Sequence, residues 1–465
     1  MATNTGTTHD VIIVGTGQGG KPLAVALAGA GWRTAIVERG PVGGTCVNYG
    51  CTPTKTLVAS AAAAHQARRA SVYGIGPAPV EVHMGRVRAR KRHIVEQFRS
   101  GGEHRLQDTD GVELIRGDAR FTGAHGIAVH LLDGSNRELR AARIVIDTGS
   151  RPAVPSLPGL SEVPFLDSTS VMELGEVPEH LLILGGGYVG IEFAQMFRRL
   201  GSEVTVVQRE EQLLPMEDAD VAEEIARILR EDGIQVLLGT HGRQVRPAAG
   251  GVELDLRSVA GRDRVVGSHL LVAVGRTPNT DTLKPDQAGV QLDERGYLPV
   301  DARLQTNVPG IYAIGDVNAG PKFTHVAYDD FRILQRNLLE DGGATTHGRL
   351  VPYTVYMDPQ LGRVGLTERQ ARAAGFPVGV ARLAMSHVAR ALEVDRTRGL
   401  MKAVVDRDNN RILGCAVLAM EGGEIMSMMQ IAMMADLPYT ALRDGIFAHP
   451  TLAESLNNLF ANLEF

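Results

Sequence analysis

Two cysteines, Cys46 and Cys51, are the side chains in this sequence best suited to redox chemistry. In a regular helix, residues five apart have Cα atoms about 8.7 Å apart, whereas a disulfide needs them within about 7 Å. A disulfide therefore requires a distorted turn, and Gly50 and Pro53 supply that irregularity. The alanine-rich run after Pro53 predicts a helix whose N-terminal end lies near both sulfurs, where its dipole stabilises a thiolate.

Two other interpretations of the cysteine pair are a zinc site and two inert core thiols. Zinc usually takes four protein ligands, and the sequence offers no second cysteine pair or closely spaced histidine pair. The pair follows directly on a dinucleotide-binding motif, which favours redox chemistry, and we expect no resident metal. The third cysteine, Cys415, lies in an apolar run and is predicted to be a small core residue.

A glycine-rich motif precedes the cysteines. Gly15, Gly17 and Gly20 follow a short β-branched run and open an alanine-rich helical segment. The first glycine makes the turn, the second lets a pyrophosphate approach the backbone, and the third lets the helix pack on the strand. Exposed amides at the helix start then hold the phosphate. The next strand ends in Glu38, whose carboxylate is placed to accept hydrogen bonds from a ribose.

The same pattern returns at Gly185, Gly187 and Gly190, and two copies imply two dinucleotides. After the next strand, Gln208 and Arg209 stand where an acid would bind a free ribose 2′-hydroxyl. A cation there favours a 2′-phosphate, so we predict NADPH. NADH is the alternative, because two glutamates follow.

The remaining pattern predicts the domain organisation. The connections around Thr148-Gly149 and Gly275-Arg276 are analogous and look like hinges around an inserted domain, and a strand ending before Asp316 returns the chain to the first domain. From about residue 350 the pattern becomes α+β. We predict an α/β fold with two Rossmann-like dinucleotide-binding domains and a C-terminal α+β domain. The predicted boundaries are 1–151, 152–272, 273–347 and 348–465.

Composition argues against nucleic-acid and membrane partners. The chain has 48 Lys+Arg and 53 Asp+Glu, a net charge of -5, so it has no general attraction to phosphate backbones or anionic lipid. The basic run Arg86–Arg92 has the spacing of a solvated helix face. The polar segment Met1–Asp10 lacks the apolar core of a secretory signal, and no apolar stretch is long enough to span a membrane. We therefore expect a cytoplasmic protein.

Five methionines crowd one short C-terminal segment: Met426, Met428, Met429, Met433 and Met434. Thioethers can bind Cu(I). However, Met426, Met429 and Met433 fall on one helical face, which favours a packing role.

Taken together, the motifs resemble those of the class I flavoprotein disulfide reductases, the group of lipoamide dehydrogenase, glutathione reductase and mercuric reductase. The resemblance covers essentially the whole chain and rests on GTGQGG, GGTCVNYGCTPTK, TGSRP, GGGYVGIE, GRTPN, AIGD and HPTLAE, in that order. It implies FAD in the first Rossmann unit, NAD(P)H in the second, and a homodimer formed through the C-terminal domain. The residues predicted to bind the cofactors are Gly15, Gly17, Gly20, Glu38, Gly44, Thr45, Lys55, Thr148, Gly149, Gly185, Gly187, Gly190, Arg209, Gly275, Arg276 and Asp316, the last through the ribityl chain.

The resemblance also implies catalytic roles. Cys51, nearer the flavin, would be the charge-transfer thiolate, and Cys46 the interchange thiol that attacks the substrate. Lys55 is expected near flavin N5, paired with Glu192. Tyr188 looks like the gate that covers the flavin until the nicotinamide stacks there; from the sequence alone it could equally be a packing aromatic.

His449 and Glu454 resemble the acid/base dyad that reaches into the partner subunit's site. A carboxylate that orients an imidazole fixes its tautomer and raises its basicity, which suits proton exchange with a thiol near neutral pH. Each active site of the homodimer would then be shared, and a monomer would have an incomplete site.

The chain looks most like the mercuric-reductase-like branch at Thr54–Val58 and Phe323–Asp330. It lacks the vicinal C-terminal cysteine pair that hands Hg(II) to the inner thiols, which argues against efficient mercury reduction. We predict electron transfer from NAD(P)H through FAD to Cys46 and Cys51, and on to a disulfide or soft metal ion. The alternatives are mercuric reductase or dihydrolipoamide dehydrogenase-type activity, a flavin oxidase or transhydrogenase with accessory cysteines, and a non-enzymatic redox-sensing or metal-sequestering flavoprotein.

Overall fold

A computed structural model describes residues 7–76, 79–258, 261, 263–340 and 342–464. Residues 1–6, the start of the polar segment from which a cytoplasmic location is predicted, lie outside the described residues, as does Phe465. The chain divides into two compact units. Unit 1 comprises Met1–Thr56, Arg86–Ala153 and Arg276–Arg349; unit 2 comprises Leu57–Gly85, Val154–Gly275 and Leu350–Phe465. The predicted four-segment domain boundaries stay a prediction.

The α-helices are α1 Gly20–Gly29, α2 Gly44–Asn48, α3 Cys51–Arg68, α4 Met84–Gln107, α5 Tyr188–Leu200, α6 Ala219–Glu231, α7 Thr324–Leu339, α8 Glu368–Ala373, α9 Ala389–Glu393, α10 Gly422–Met434, α11 Tyr439–Arg443 and α12 Ser455–Ala461. The strands are β1 Thr7–Val14, β2 Thr34–Glu38, β3 Val112–Gly123, β4 Gly126–Leu131, β5 Asn136–Ile146, β6 Ser150–Pro152, β7 His180–Leu184, β8 Glu203–Val207, β9 Gln235–Leu237, β10 Thr240–Ala248, β11 Gly251–Ser258, β12 Arg264–Gly267, β13 His269–Val272, β14 Arg276–Pro278, β15 Ile311–Ala313, β16 Tyr353–Val355, β17 Gln360–Gly365, β18 Val378–Ala384, β19 Leu400–Asp406, β20 Ile412–Ala419 and β21 Leu463–Glu464.

Unit 1 is built on a parallel sheet in which the strands run in the order β3-β2-β1-β5-β15. The far ends of β3 and β5 continue into an antiparallel meander with β4. Strand β1 is apolar throughout its centre because both of its faces are covered. Ile13 packs with Leu23 of α1, whereas Ile12 on the other face packs with Phe121 of the meander. The glycine turn between β1 and α1 is thereby fixed at the carboxyl edge of the sheet.

Unit 2 contains a parallel sheet in the order β13-β7-β8-β9 and a three-stranded antiparallel sheet in the order β10-β11-β12. The second glycine motif connects β7 to α5, as the sequence predicts. The strand predicted before Gln208 is β8, Glu203–Val207. These elements confirm the predicted α/β class with a second Rossmann-like strand–turn–helix unit.

The C-terminal part of unit 2 is a six-stranded sheet, ordered β16-β17-β20-β19-β18-β21, whose strands all pair antiparallel. Helix α10 packs on this sheet, and Met426 and Met429 are buried in its core, with Met433 packed against them. Met428 and Met434 are exposed. The three methionines on the predicted face are therefore packing residues, and Cys415 in β20 is a fully buried core residue, as predicted.

The basic run lies in α4, and Arg86, Arg90 and Arg92 are exposed, as a solvated helix face requires. Lys91 departs from that prediction, because its side chain is buried. Helical spacing turns one residue of such a run towards the protein, and a long aliphatic stem tolerates that position. Among the described helices, none combines the length and apolar character needed to cross a membrane.

Candidate active site

The cysteine pair straddles a break between two helices. Cys46 lies in α2, which ends before Tyr49, and Cys51 is the first residue of α3. Tyr49 has φ -140° and ψ 5°, outside the helical region. The amide of Thr54 donates to the Gly50 carbonyl, 3.0 Å away, and so starts the new helix. The structure thus has the distorted turn that the cysteine spacing requires.

The two sulfurs have different environments, although both cysteines are in the thiol form. A hydrogen bond with Cys51 is the main cause of a raised pKa at Cys46, and burial adds to it. Cys46 therefore retains its proton more readily. Cys51 is exposed, its Sγ lies 3.3 Å from Thr324 Oγ1, and it stands at the N-terminal end of an 18-residue helix. Negative charge on the pair is best placed at Cys51.

The helix that carries Cys46 begins against the first glycine loop. Gly44 has φ +63°, and a Cβ there would lie 2.8 Å from the Gly17 Cα. Only glycine allows the backbone at position 44 to come so close to the loop. Thr45 is the next residue. The cysteine segment and the dinucleotide loop are consequently neighbours within unit 1.

The loop itself is braced by buried and half-buried polar groups. Gly15 has φ +108°, and a Cβ there would lie 2.2 Å from the Asp147 carbonyl oxygen. Glu38 accepts hydrogen bonds from the amide of Thr16 (2.9 Å), the hydroxyl of Thr16 (2.6 Å) and the amide of Gly40 (2.8 Å). A carboxylate offers about four acceptor positions, so Glu38 retains one for a ribose hydroxyl.

Thr148 provides a direct test of whether FAD fits this site. Its Oγ1 is buried and has no hydrogen-bond partner among the described residues. The next residue, Gly149, has φ +66°, and no described atom would lie within 4 Å of a Cβ there. An orphaned hydroxyl beside open space is what a bound polar group would satisfy. These residues therefore fit a dinucleotide such as FAD.

Asp316 and Arg276 are joined through one serine. The Ser150 hydroxyl donates to Asp316 Oδ2 over 2.7 Å and accepts from Arg276 Nε, also over 2.7 Å. Arg276 Nη2 donates to the Ser150 carbonyl at 2.6 Å. The predicted ribityl-binding carboxylate is thus oriented by the hinge residues between strands β6 and β14.

Asp147 is a site residue that the sequence analysis passed over. Its side chain is buried and accepts a hydrogen bond from the Gly20 amide at 2.7 Å, beneath the glycine loop. Burial holds its pKa well above the usual value, and the nearby carboxyl groups of Glu38, Asp316 and Asp330 add to the shift. The sequence does contain a signal for Asp147, because an acidic residue stands directly after a buried apolar strand.

We expect Asp147→Ala to lower the free energy of unfolding by about 1–3 kcal/mol, because it leaves the Gly20 amide buried and unpaired. Asp147→Asn keeps an acceptor and should cost less. The Asp147 carboxyl keeps its proton in the folded state, whereas in the unfolded state it releases the proton above about pH 4. The free energy of unfolding of the wild type should therefore fall with rising pH, relative to that of Asp147→Asn. Urea denaturation at several pH values with saturating FAD measures both effects; parallel pH profiles would contradict the second.

The second glycine loop follows the same principles. Gly185 has φ +115°, and a Cβ there would lie 2.4 Å from the Ala273 carbonyl oxygen. A Cβ on Gly190 would lie 2.0 Å from the Gly185 carbonyl oxygen, so this glycine allows α5 to pack closely. Gly187 and Gly275 have no described atom within 4 Å of a Cβ, which leaves their backbone approachable.

Gln208 hydrogen bonds within the loop region. It is buried, its Oε1 accepts from the Gly186 amide at 3.0 Å, and its Nε2 donates to the Gln212 carbonyl at 3.2 Å. Gln208 therefore braces the loop from below. Arg209 is largely exposed and pairs with Glu210 at 2.9 Å. Any discrimination between 2′-hydroxyl and 2′-phosphate falls to Arg209 and its acidic neighbours.

Tyr188 and Glu192 lie one turn apart in α5. Tyr188 is half-buried, and its ring centroid lies 5.1 Å from that of Tyr353. Glu192 is buried, and its Oε1 accepts from the Tyr356 amide at 2.8 Å. Lys55 lies in α3 within unit 1. Its pairing with Glu192 stays a prediction.

The histidine–glutamate pair forms as the spacing predicts. His449 Nδ1 lies 2.8 Å and 3.0 Å from the two carboxylate oxygens of Glu454. The His449 side chain is 63% exposed, so the imidazole projects from the surface of its own chain. With Nδ1 engaged by the carboxylate, Nε2 is the nitrogen left for proton exchange. Across the part of the chain that the structure describes, no group of three or more His, Cys, Asp or Glu side chains could hold a metal ion.

Comparison with known proteins agrees with these features. Residues 9–330 match the family described as "Pyridine nucleotide-disulphide oxidoreductase", and residues 351–460 match its dimerisation domain. The "Probable pyridine nucleotide-disulfide oxidoreductase RclA" of Escherichia coli is 40% identical, over 97% of this chain and 99% of the relative. "Mercuric reductase" of Streptomyces lividans is 38% identical, over 97% and 95% of the two chains. "Dihydrolipoyl dehydrogenase" of Thermus scotoductus is 36% identical, over 97% and 96%.

A solved structure described as "Cu(II) complex of HOCl-induced flavoprotein disulfide reductase RclA from Escherichia coli" superimposes with a TM-score of 0.89 at 40% identity, covering 98% of this chain and 99% of that one. The dimerisation-domain match supports a homodimer. The family implies FAD and a nicotinamide cofactor, and the predicted family and enzyme class are confirmed. The chain belongs to the pyridine nucleotide-disulphide oxidoreductase family and is an FAD-dependent oxidoreductase.

Proposed function

We propose that the protein uses NADPH to reduce the Cys46–Cys51 pair through FAD, and that the resulting dithiol reduces a disulfide or a soft metal ion. The observation that carries the proposal is the asymmetric thiol pair at the start of α3. Cys51 has the helix N-terminus that stabilises a thiolate, and the raised pKa of Cys46 keeps a proton available on the sulfur that attacks the acceptor. FAD, when bound, accepts a hydride equivalent from the nicotinamide and passes an electron pair to the cysteines.

The chain's own residues complete disulfide reduction by thiol–disulfide exchange. The Cys46 thiolate attacks one sulfur of the acceptor, forming a mixed disulfide and expelling one thiolate. His449 takes the proton that Cys46 loses and returns it to the departing thiolate, while Glu454 holds the imidazole. The Cys51 thiolate then attacks the Cys46 sulfur, which closes the internal disulfide and expels the second thiolate, and that thiolate takes its proton from solvent. Each exchange breaks one S–S bond and forms another, so atoms and electrons balance.

In the proposed homodimer, each active site is shared between the two subunits. The 63% exposure of the His449 side chain suits a group that acts on the partner's cysteines rather than on its own. Lys55, paired with Glu192, would lie beside the flavin, and Tyr188 would cover it in the absence of nicotinamide. A chain with three cysteines, two of which cycle between thiol and disulfide, suits a reducing cytoplasm.

Arg209 is the residue that we propose selects NADPH over NADH. A guanidinium binds a phosphate through charge-assisted hydrogen bonds. We expect Arg209→Ala to raise KM for NADPH about tenfold, which corresponds to loss of one such contact, with KM for NADH within about twofold of wild type. Steady-state kinetics with both nucleotides measures the split. An equal change for both, or a preference for NADH in the wild type, would contradict the assignment.

The acceptor is best sought among disulfides and soft metal ions. Two adjacent sulfurs are suitable ligands for soft ions, and the similar Escherichia coli structure is described as a Cu(II) complex.

A panel of oxidised glutathione, lipoamide, Hg(II) and Cu(II), followed by NADPH consumption, tests the proposal. Turnover with at least one acceptor, lost in Cys46→Ser, is the expected result. Full turnover in a Cys46→Ser/Cys51→Ser protein would favour a flavin oxidase or transhydrogenase. Stoichiometric metal binding without NADPH consumption would favour a metal-sequestering protein.

A further inference from the structure

The predicted gate residue Tyr188 belongs to a short chain of half-buried and buried groups in unit 2. Its ring lies 5.1 Å from that of Tyr353, at an interplanar angle of 51°, and the two side chains are hydrogen bonded. The Tyr353 hydroxyl in turn donates to the Glu217 carboxylate. Two tyrosines and one carboxylate are therefore linked in series, although they come from positions 188, 217 and 353.

The far end of this chain is an unusual buried ion pair. Glu217 is 0% exposed and Arg363 is 2% exposed. Arg363 Nε lies 3.8 Å from Glu217 Oε2, and both Nη atoms are buried with no hydrogen-bond partner among the residues the structure describes. The guanidinium thus acts on Glu217 mainly through its charge. The Tyr353 hydroxyl donates a hydrogen bond to this carboxylate.

The direction of the hydrogen bonds follows from this arrangement. The Tyr353 hydroxyl donates to Glu217, so its single hydrogen is committed there. The Tyr353 oxygen then accepts from Tyr188, whose hydroxyl is the donor. Burial raises the pKa of both tyrosines, so both remain protonated donors at neutral pH.

We propose that Tyr353, anchored by Glu217 and Arg363, is a positioning residue that latches Tyr188 in its covering orientation. The latch sets the cost of moving Tyr188 aside when the nicotinamide enters. This inference rests on the proposed gate role of Tyr188. A nucleotide must then break one hydrogen bond to reach its productive position, so the latch weakens its apparent binding.

The test is the anaerobic reaction of the holoenzyme with NADPH in a stopped-flow spectrometer. Tyr353→Phe and Tyr188→Phe each keep both rings and remove the hydrogen bond between the two tyrosines; Tyr353→Phe also removes the hydroxyl that donates to Glu217. Each should lower the apparent Kd for NADPH in flavin reduction by about threefold to tenfold, the value of one net hydrogen bond. Flavin reduction by dihydrolipoamide, which enters through the cysteines, should stay within about twofold of wild type, a split that a general structural defect would not give.

The double variant should show no further gain, because both substitutions remove one interaction. Tyr73→Phe is the matched control: the Tyr73 hydroxyl donates to the Val394 carbonyl at 2.7 Å, away from this chain of groups, so its loss should leave both half-reactions unchanged. If Tyr353→Phe fails to fold, Tyr188→Phe alone tests the latch, since Tyr188→Phe leaves the hydrogen bond between Tyr353 and Glu217 intact.

Tyr188→Ala separates this inference from the proposed function. If NADPH reduces the flavin of Tyr188→Ala as in wild type, the gate role itself is wrong. If Tyr188→Ala alters that step but both phenylalanine variants match wild type, the gate stands and the latch is overturned. Additive gains in the double variant would also overturn it.

Discussion

Replacing either Cys46 or Cys51 with serine should lower NADPH-dependent disulfide reduction by at least about 1000-fold, the scale expected when a residue acts as part of one catalytic unit. A serine hydroxyl neither forms a disulfide nor ionises near neutral pH, so no electron pair can leave through the pair. Flavin reduction by NADPH precedes the cysteines and should persist. Steady-state turnover and single-turnover flavin reduction measure the two halves separately.

Cys415→Ala is the matched control for the cysteine variants. Cys415 is a fully buried core residue in β20, with no part in the proposed exchange. Its replacement should lower stability modestly and leave turnover unchanged. Turnover of the Cys46→Ser protein within about tenfold of wild type would contradict the assigned attack by that sulfur.

Replacing His449 with glutamine should lower disulfide turnover by about 100-fold to 1000-fold, the usual contribution of a positioned general acid/base. The amide keeps much of the side-chain volume but cannot take a proton from a thiol. Glu454→Gln should have a smaller effect, about tenfold, because the imidazole remains and loses only its charged orienting partner. NADPH should reduce the flavin at the wild-type rate in both variants.

A mixed dimer tests whether the site is shared between subunits. One subunit carries Cys46→Ser and the other His449→Gln. If each site combines the cysteines of one chain with the histidine of the other, one site loses both groups and the second keeps both. The purified mixed dimer should then show about half of wild-type turnover. If each chain completes its own site, both sites are damaged, and the mixed dimer would be nearly inactive.

The sequence predicted the parts of the fold that depend on local pattern. The strands at Val11–Val14 and Leu181–Leu184 were evident because each is a short apolar run that ends at a glycine turn. The break between the cysteines followed from helix geometry alone. His449 and Glu454, five residues apart, form the predicted contact because the chain between them is too short to separate them far.

The residues that the sequence did not identify act over long separations. Asp147 reaches the Gly20 amide across 127 positions, and Tyr353 reaches Glu217 across 136. Neither contact leaves a periodic or motif-like trace, since tertiary packing alone brings the partners together. From the sequence, Gln208 stands at the position where an acidic residue would bind the ribose 2′-hydroxyl. Its neutral amide instead satisfies a loop amide and a carbonyl that an acid could not satisfy together.

The central claim, that Cys51 carries the negative charge beside the flavin, has a direct spectroscopic test. Anaerobic titration of the purified holoenzyme with NADPH should produce a long-wavelength thiolate-to-flavin absorption band at two-electron reduction. In Cys46→Ser, which cannot form the disulfide, the band should be present before NADPH is added, while the flavin is oxidised; it should be absent in Cys51→Ser. Two-electron reduction of the wild type without the band, or a band that survives in Cys51→Ser, would contradict the account.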